Sequence, residues 1–178
     1  MVRWLKEVPR LILAPALVAG VAALALYWLG MVPDYLQPPE NGPRDYDSIA
    51  AAEADLGMSI ALPTYFPSYL AYPPTVIRGQ REPVRSVQMT FVGEYGSAPA
   101  LTITQTEGEA GAPVTLPGME SVGSRTTIII GEGEGTLITG TGKGGQPLTG
   151  AYWRADGFLF TVVTTRSERE LLTIIRSM

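Results

Sequence analysis

The sequence predicts an α+β protein: an N-terminal single transmembrane helix, then one antiparallel-sheet domain with a helix at each end of its sequence. Three observations predict it. From Leu11 to Pro33 no residue is charged. From residue 75 onward, short apolar–polar alternations follow one another between Gly- and Pro-rich breaks. One short helical stripe precedes those runs and another follows them.

The apolar run LILAPALVAGVAALALYWLGMVP would reach about 34 Å as a helix, against a hydrocarbon core of about 30 Å. The tail 1–10 carries Arg3, Lys6 and Arg10 against Glu7, whereas Asp34 and Glu40 follow the run with no base before Arg44. Positive charge beside a span stays cytoplasmic. The expected topology is therefore a cytoplasmic tail (1–10), a plasma-membrane span (11–33) and an extracytoplasmic C-terminal domain. Tyr27 and Trp28 fall near the outer interface, which suits aromatic rings. A cleaved signal peptide is the rival reading, through the weak site Ala23-Leu24-Ala25. A signal core of about 7–15 residues is shorter than this run, which favours a retained anchor. Ala16 and Gly20, and Ala19 and Ala23, are spaced four apart and form a small-residue face for helix packing.

Residues 34–45, DYLQPPENGPRD, read as a Pro-rich, semi-extended linker. About 130 residues remain, from 46 to 178, enough for one domain with its own core. A helix follows the linker, with Asp47 as cap, Ile49, Ala52 and Leu56 on one face, and Gly57 as stop. Met58–Leu62 alternates like a strand and ends at Pro63. The segment PTYFPSYLAYPP is dense in rings. Val76-Ile77, Val87/Met89/Phe91, Leu101/Ile103, Thr126–Ile130, Thr136–Thr139, Ala151–Trp153 and Phe158–Thr164 are the expected strands. Asp156-Gly157 between the last two signals a hairpin. Ser167 and Glu170 match a capping box ahead of Leu171, Ile174 and Ile175.

A resemblance adds to this reading. It is carried by an Ala-rich helix ending in Leu56-Gly57, by Leu62-Pro63-x-Tyr65-x-Pro67, by Trp153 with Asp156-Gly157, and by the Ser-capped end Ile174-Ile175-Arg176-Ser177-Met178. Over residues 46–178 the chain resembles domain-of-unknown-function family 4367. Members often form the extracytoplasmic end of membrane-anchored anti-sigma factors and similar bacterial sensors. The resemblance implies a fold and a compartment. It implies no catalytic residue, since the family has none established. Only about ten residues precede the span here, too few to hold a sigma factor, so that activity is not expected.

Composition removes much chemistry. The chain of 178 residues has neither Cys nor His. Disulfides, Cys/His zinc sites, Ser-His triads and His- or Cys-ligated haem are thereby excluded. From residue 34 onward there are ten bases and sixteen acids, a net charge of −6, which argues against nucleic acid as a partner. Gly140-x-Gly142-x-x-Gly145 spells a dinucleotide pattern around Lys143, but the residues after it do not open a helix. The Gly-rich stretch 131–145 is expected to be a hairpin turn. Glu107/Glu109 and Glu132/Glu134 are spaced like paired acids yet sit among turn residues, so no metal and no cofactor is expected. Trp153 is expected in the core beside Phe158 and Phe160.

The expected function is non-enzymatic: a single-pass accessory subunit or sensor-type module whose outer domain binds other membrane or extracytoplasmic proteins. Its candidate partner surface combines Tyr65, Phe66, Tyr69 and Tyr72 of the aromatic segment with Arg78, Arg81 and Arg85, whose guanidinium forks suit carboxylates. The alternative is an apolar-ligand module, for a lipid or lipoprotein acyl chain, with residues 63–74 as its mouth.

Overall fold

A computed structural model describes residues 42–93, 96, 98–108 and 116–178, together with Val21, Leu24, Ala25, Tyr27 and Trp28. The chain divides into two units, 1–40 and 41–178. In the first, the five described residues are helical and exposed. The rest of the expected span, including Ala16, Ala19, Gly20 and Ala23, lies outside the described residues, as does most of the linker. Among the described residues no helix is long and apolar enough to cross a membrane.

The second unit is a single antiparallel sheet of eight strands with one helix before and one after the main strands. The order is β1 (Arg44–Asp45), α1 (Ile49–Leu56), β2 (Val76–Gln80), β3 (Ser86–Val92), β4 (Pro99–Glu107), β5 (Met119–Ile130), β6 (Gly133–Gly142), β7 (Pro147–Ala155), β8 (Phe158–Thr164) and α2 (Glu168–Ile175). Across the sheet the strands run β1-β2-β3-β4-β8-β7-β6-β5. Two meanders therefore meet where β4 pairs with β8. β4 ends beside the β7–β8 hairpin, with Glu107 opposite Phe158, whereas β5 begins at the other end of the sheet, with Met119 opposite Gly142.

One face holds the main core. Val87, Met89 and Phe91 of β3, Leu101 and Ile103 of β4, and Phe160 and Val162 of β8 point to it and are buried. α1 packs over β2, and α2 over β7 and β8, adding Ala52, Leu56, Leu171, Ile174 and Ile175. Trp153 is buried there and stacks on Phe160 at 5.3 Å between ring centroids. The opposite face carries a second, smaller apolar cluster: Leu116, Met119, Ile138, Leu148 and Val163. β8 is consequently buried on both faces, which explains its continuous apolar sequence.

Several local expectations are corrected. Ser48, not Asp47, caps α1, its hydroxyl accepting from Ala51 N–H at 3.1 Å. Gly57 closes that helix with φ 64°, as expected. Ser167 precedes α2 but makes no side-chain cap bond, so the expected capping box is absent. Met58–Leu62 is not a strand. Its backbone is held by the side chain of Gln105, which accepts from Ala61 N–H and donates to Ser59 C=O, both at 2.9 Å. A side-chain amide thus takes the place of a neighbouring strand. Asp156 and Gly157 form the β7–β8 turn with φ 52° and 81°, as the Asp-Gly pair predicts.

The Gly-rich stretch is mostly strand rather than turn. Gly133–Gly142 is β6, and only 131–132 and 143–146 turn the chain. Gly140 is required by close approach: a Cβ there would overlap the Ser121 carbonyl oxygen, where β5 bulges.

α1 is tied to the sheet by the Tyr46 hydroxyl, which donates to Asp55 at 2.6 Å, and by Arg81, which also reaches Asp55 at 2.6 Å. The Tyr46 hydrogen bond, then the Arg81 charge, hold the Asp55 carboxyl below its ordinary value of 3.8. A depressed acid stabilises above its unfolded pKa and loses that contribution as pH falls through its folded value. Tyr46→Phe is therefore expected to lower the melting temperature at pH 6. The gap to the native chain should narrow below about pH 4, as thermal melts from pH 6 to 2.5 would show. A gap that does not change with pH would contradict this role.

Candidate binding groove at one end of the sheet

The sequence-predicted surface residues separate into groups. The three arginines bind acids of their own chain. Arg78 pairs with Asp45 at 2.7 Å, Arg81 with Asp55 at 2.6 Å, and Arg85 with Glu107 at 2.5 Å. Arg81 also donates to Asp55 C=O, and Arg85 to Leu56 and Gly57 C=O. These carbonyls end α1 and have no intrahelical donor, so the guanidinium groups cap the helix. Glu107 is used by Arg85, Glu132 and Glu134 are exposed in the β5–β6 hairpin, and Glu109 lies outside the described residues. Among the described residues no three metal-ligating acids come together.

The aromatic segment closes over the core. Phe66 lies 5.4 Å from Phe91 and 5.3 Å from Tyr72 between ring centroids. Thr64 N–H and Oγ1 both donate to Ser177 C=O, which anchors the loop to the end of α2. Tyr65 and Tyr72 remain exposed. Tyr69 is different: the Arg166 guanidinium sits 4.4 Å above its ring. Burial first, then the Glu170 carboxylate, push the Tyr69 hydroxyl well above its ordinary pKa. That hydroxyl has no hydrogen bond of good geometry among the described residues, although Arg166 and Glu170 act on it electrostatically.

Tyr69 and Arg166 line one part of a groove that sequence reasoning missed. A cavity of about 720 Å³ lies where β4 begins, β8 ends and β6 turns into β7. A second cavity, of about 320 Å³, shares Ala98, Pro99, Ala100 and Thr165 with it and ends at Tyr69 and Arg166. The floor comes from the outward side chains Gln88 and Thr90 of β3 and Thr102 of β4. Pro99, Pro117, Leu148 and Val163 form its apolar wall. The wall beneath Arg166 is fixed by Thr164, whose hydroxyl donates to Ala100 C=O at 2.8 Å and accepts from Arg166 N–H at 3.1 Å.

Lys143 and Gln146 reach the groove from the β6–β7 turn. That turn needs left-handed backbone at Gly144 and Gly145, with φ 85° and 79°, and closes through Gly142 N–H to Gln146 C=O at 2.8 Å. The dinucleotide-like glycines thus form strand, turn and strand, with no helix N-terminus to meet a pyrophosphate.

Compared with protein-family models, curated proteins and solved structures, the chain matches none. The groove's chemistry has to be read from its own residues. Its described lining holds Lys143 on one side, Arg166 on the other, amide and hydroxyl groups between them, and no carboxylate. In an acidic domain, such a strip favours an extended, anionic occupant by hydrogen bonding and charge.

Proposed function

We propose that this chain is a non-enzymatic, single-pass membrane protein whose extracytoplasmic domain binds another protein, as an accessory subunit or a sensor-type module. The observation that carries the reading is the groove with Lys143 and Arg166 at its ends and no acid in its described lining. The main core fills the other face of the sheet with side chains, and the groove is a concave surface on the opposite side. The uncharged run 11–33 supports the anchor, and the bases Arg3, Lys6 and Arg10 before it, with Asp34 and Glu40 after it, support the compartment. The occupant is an extended acidic segment of a membrane or extracytoplasmic protein. The test is purification of the full chain in mild detergent, native and as Lys143→Glu. A stoichiometric partner is expected with the native chain and at least about tenfold less with the variant, a difference of about 1.4 kcal/mol. The two should melt alike, because Lys143 is exposed. A native chain that purifies alone, or a partner indifferent to Lys143→Glu, would overturn the reading.

The apolar wall of Pro99, Pro117, Leu148 and Val163 favours one second reading, a lipid or lipoprotein acyl chain in the same groove. Native mass spectrometry would then find an acyl mass retained on the chain.

A further inference from the structure

The two edges of the sheet are unlike. At one edge, β1 is two residues long, Arg44 and Asp45, both charged. Short, charged strands keep an edge from pairing with another chain. At the other edge, β5 has twelve residues, of which 120–127 are all exposed. It contains neither Pro nor Lys, and Arg125 is its one charge beyond Glu120. Its register shifts lie between Met119 and Ser124, so Ser124–Ile130 is a regular run of β-branched and polar residues.

The hairpin fixes which backbone groups this run presents. Ile130 opposes Gly133 across a two-residue turn, which makes them a hydrogen-bonded pair. Alternation then turns the N–H and C=O of residues 124, 126, 128 and 130 toward β6. The same groups of Arg125, Thr127 and Ile129 turn away from β6, to the side where no described strand pairs with β5. Their side chains lie on the face opposite the main core, where Ile129 is 65% exposed, while Ile128 and Ile130 pack toward that core.

We infer that this edge pairs, antiparallel, with the β5 of a second copy of the chain about a two-fold axis at Thr127. That axis pairs the whole regular run with itself: Ser124 faces Ile130, Arg125 faces Ile129, Thr126 faces Ile128, and Thr127 faces Thr127. Three narrow pairs form, with about six backbone hydrogen bonds, two per pair. The contact is isologous and closes at two copies. Side chains agree with it. Ile129 lies between Arg125 of the second copy and Glu134 on β6, its own cross-strand neighbour. A long arginine stem covers the exposed isoleucine and brings its charge toward Glu134, twice by symmetry. The groove lies across β3, β4, β7 and β8 and stays open in such a pair.

The chain has no cysteine, so one introduced residue reads the contact directly. Thr127→Cys in the full chain in detergent is expected to oxidise to a disulfide-linked dimer, because paired Cα atoms in an antiparallel ladder lie about 5.5 Å apart, within disulfide range. Thr126→Cys, whose partner position is 128, should not cross-link to itself. Adding Arg125→Glu to Thr127→Cys should lower the yield about fivefold, and adding Glu134→Arg as well should restore it. Thr127→Pro removes only an outward N–H, and should give a monomer by sedimentation with the same melting temperature. Equal cross-linking at 126 and 127, no cross-link at 127, or no effect of the charge swap each overturns the inference. If Thr127→Pro fails to fold, the cross-links and the charge swap still decide.

Discussion

Replacing Gln105 by leucine is expected to lower the unfolding free energy by about 2–4 kcal/mol. The side chain is 1% exposed and lies between β4 and the segment after α1. Its amide makes two hydrogen bonds of 2.9 Å, one to Ala61 N–H and one to Ser59 C=O. Leucine fills a similar volume but leaves both backbone groups without partners, at about 1–3 kcal/mol each. The loss should be concentrated in the 58–62 segment, where amide exchange at Ala61 speeds up before the sheet melts. Gln105→Glu separates the causes further. A carboxylate can still accept from Ala61 but cannot donate to Ser59, and burial raises its pKa. Its protonated form is tolerated best, so this variant's deficit relative to the native chain should be smallest below about pH 4.3 and grow as pH rises through its folded pKa. Urea titration at pH 4 and pH 7 would measure both effects. A leucine variant as stable as the native chain would show that water replaces Gln105 without cost.

Gly150→Val is the second large effect, expected to cost about 1–3 kcal/mol. Gly150 lies in β7 with a strand on each side, and its missing side chain would point to the face that carries the smaller cluster. A Cβ there would overlap the Leu116 side chain and sit 2.9 Å from Val162 C=O and 3.1 Å from the Val163 side chain. Leu116 can move aside, but the Val162 carbonyl is held in the ladder with β7. Leu116 is followed directly by Pro117 and Gly118, which line the groove. The variant should therefore weaken partner binding as well as folding. Adding Leu116→Ala should recover part of the stability but not the binding, a coupling that a double-mutant cycle would measure.

Gln105 and Gly150 also mark where the sequence stops being legible. Alternation in β3 and β4 and the Asp-Gly turn before β8 placed the central strands, because each carries a period of two with one apolar face. Met58–Leu62 shows the same alternation, yet its neighbour is a side chain from a residue far along the chain, which no local pattern encodes. β6 is legible only at Thr136–Thr139, because the glycines on either side suggest a turn where the strand in fact runs from Gly133 to Gly142. Gly140 is there to let β5 bulge and Met119 approach. The arginine trio looked like a surface for a partner's carboxylates, and the chain's own Asp45, Asp55 and Glu107 occupy it. The groove was hidden for a related reason. Gln88, Thr90 and Thr102 read as the solvated side of a one-faced sheet. The signal against that was in β8, whose run FLFTVV leaves no polar face. A strand apolar on both sides implies cover on both, hence the cluster around Leu116 and the wall beside it.

The groove between Lys143 and Arg166 is the proposed meeting place of this protein and its partner. A photo-activated cross-linking residue in place of Gln146, in the full chain in the membranes of cells that make it, tests this most directly. Gln146 lines the groove and is exposed, so the substitution spares the core. One dominant protein adduct is expected, lost with Lys143→Glu and not formed from a control position at Glu132 in the opposite turn. Absence of an adduct from 146, or the same adduct from 132, would contradict it.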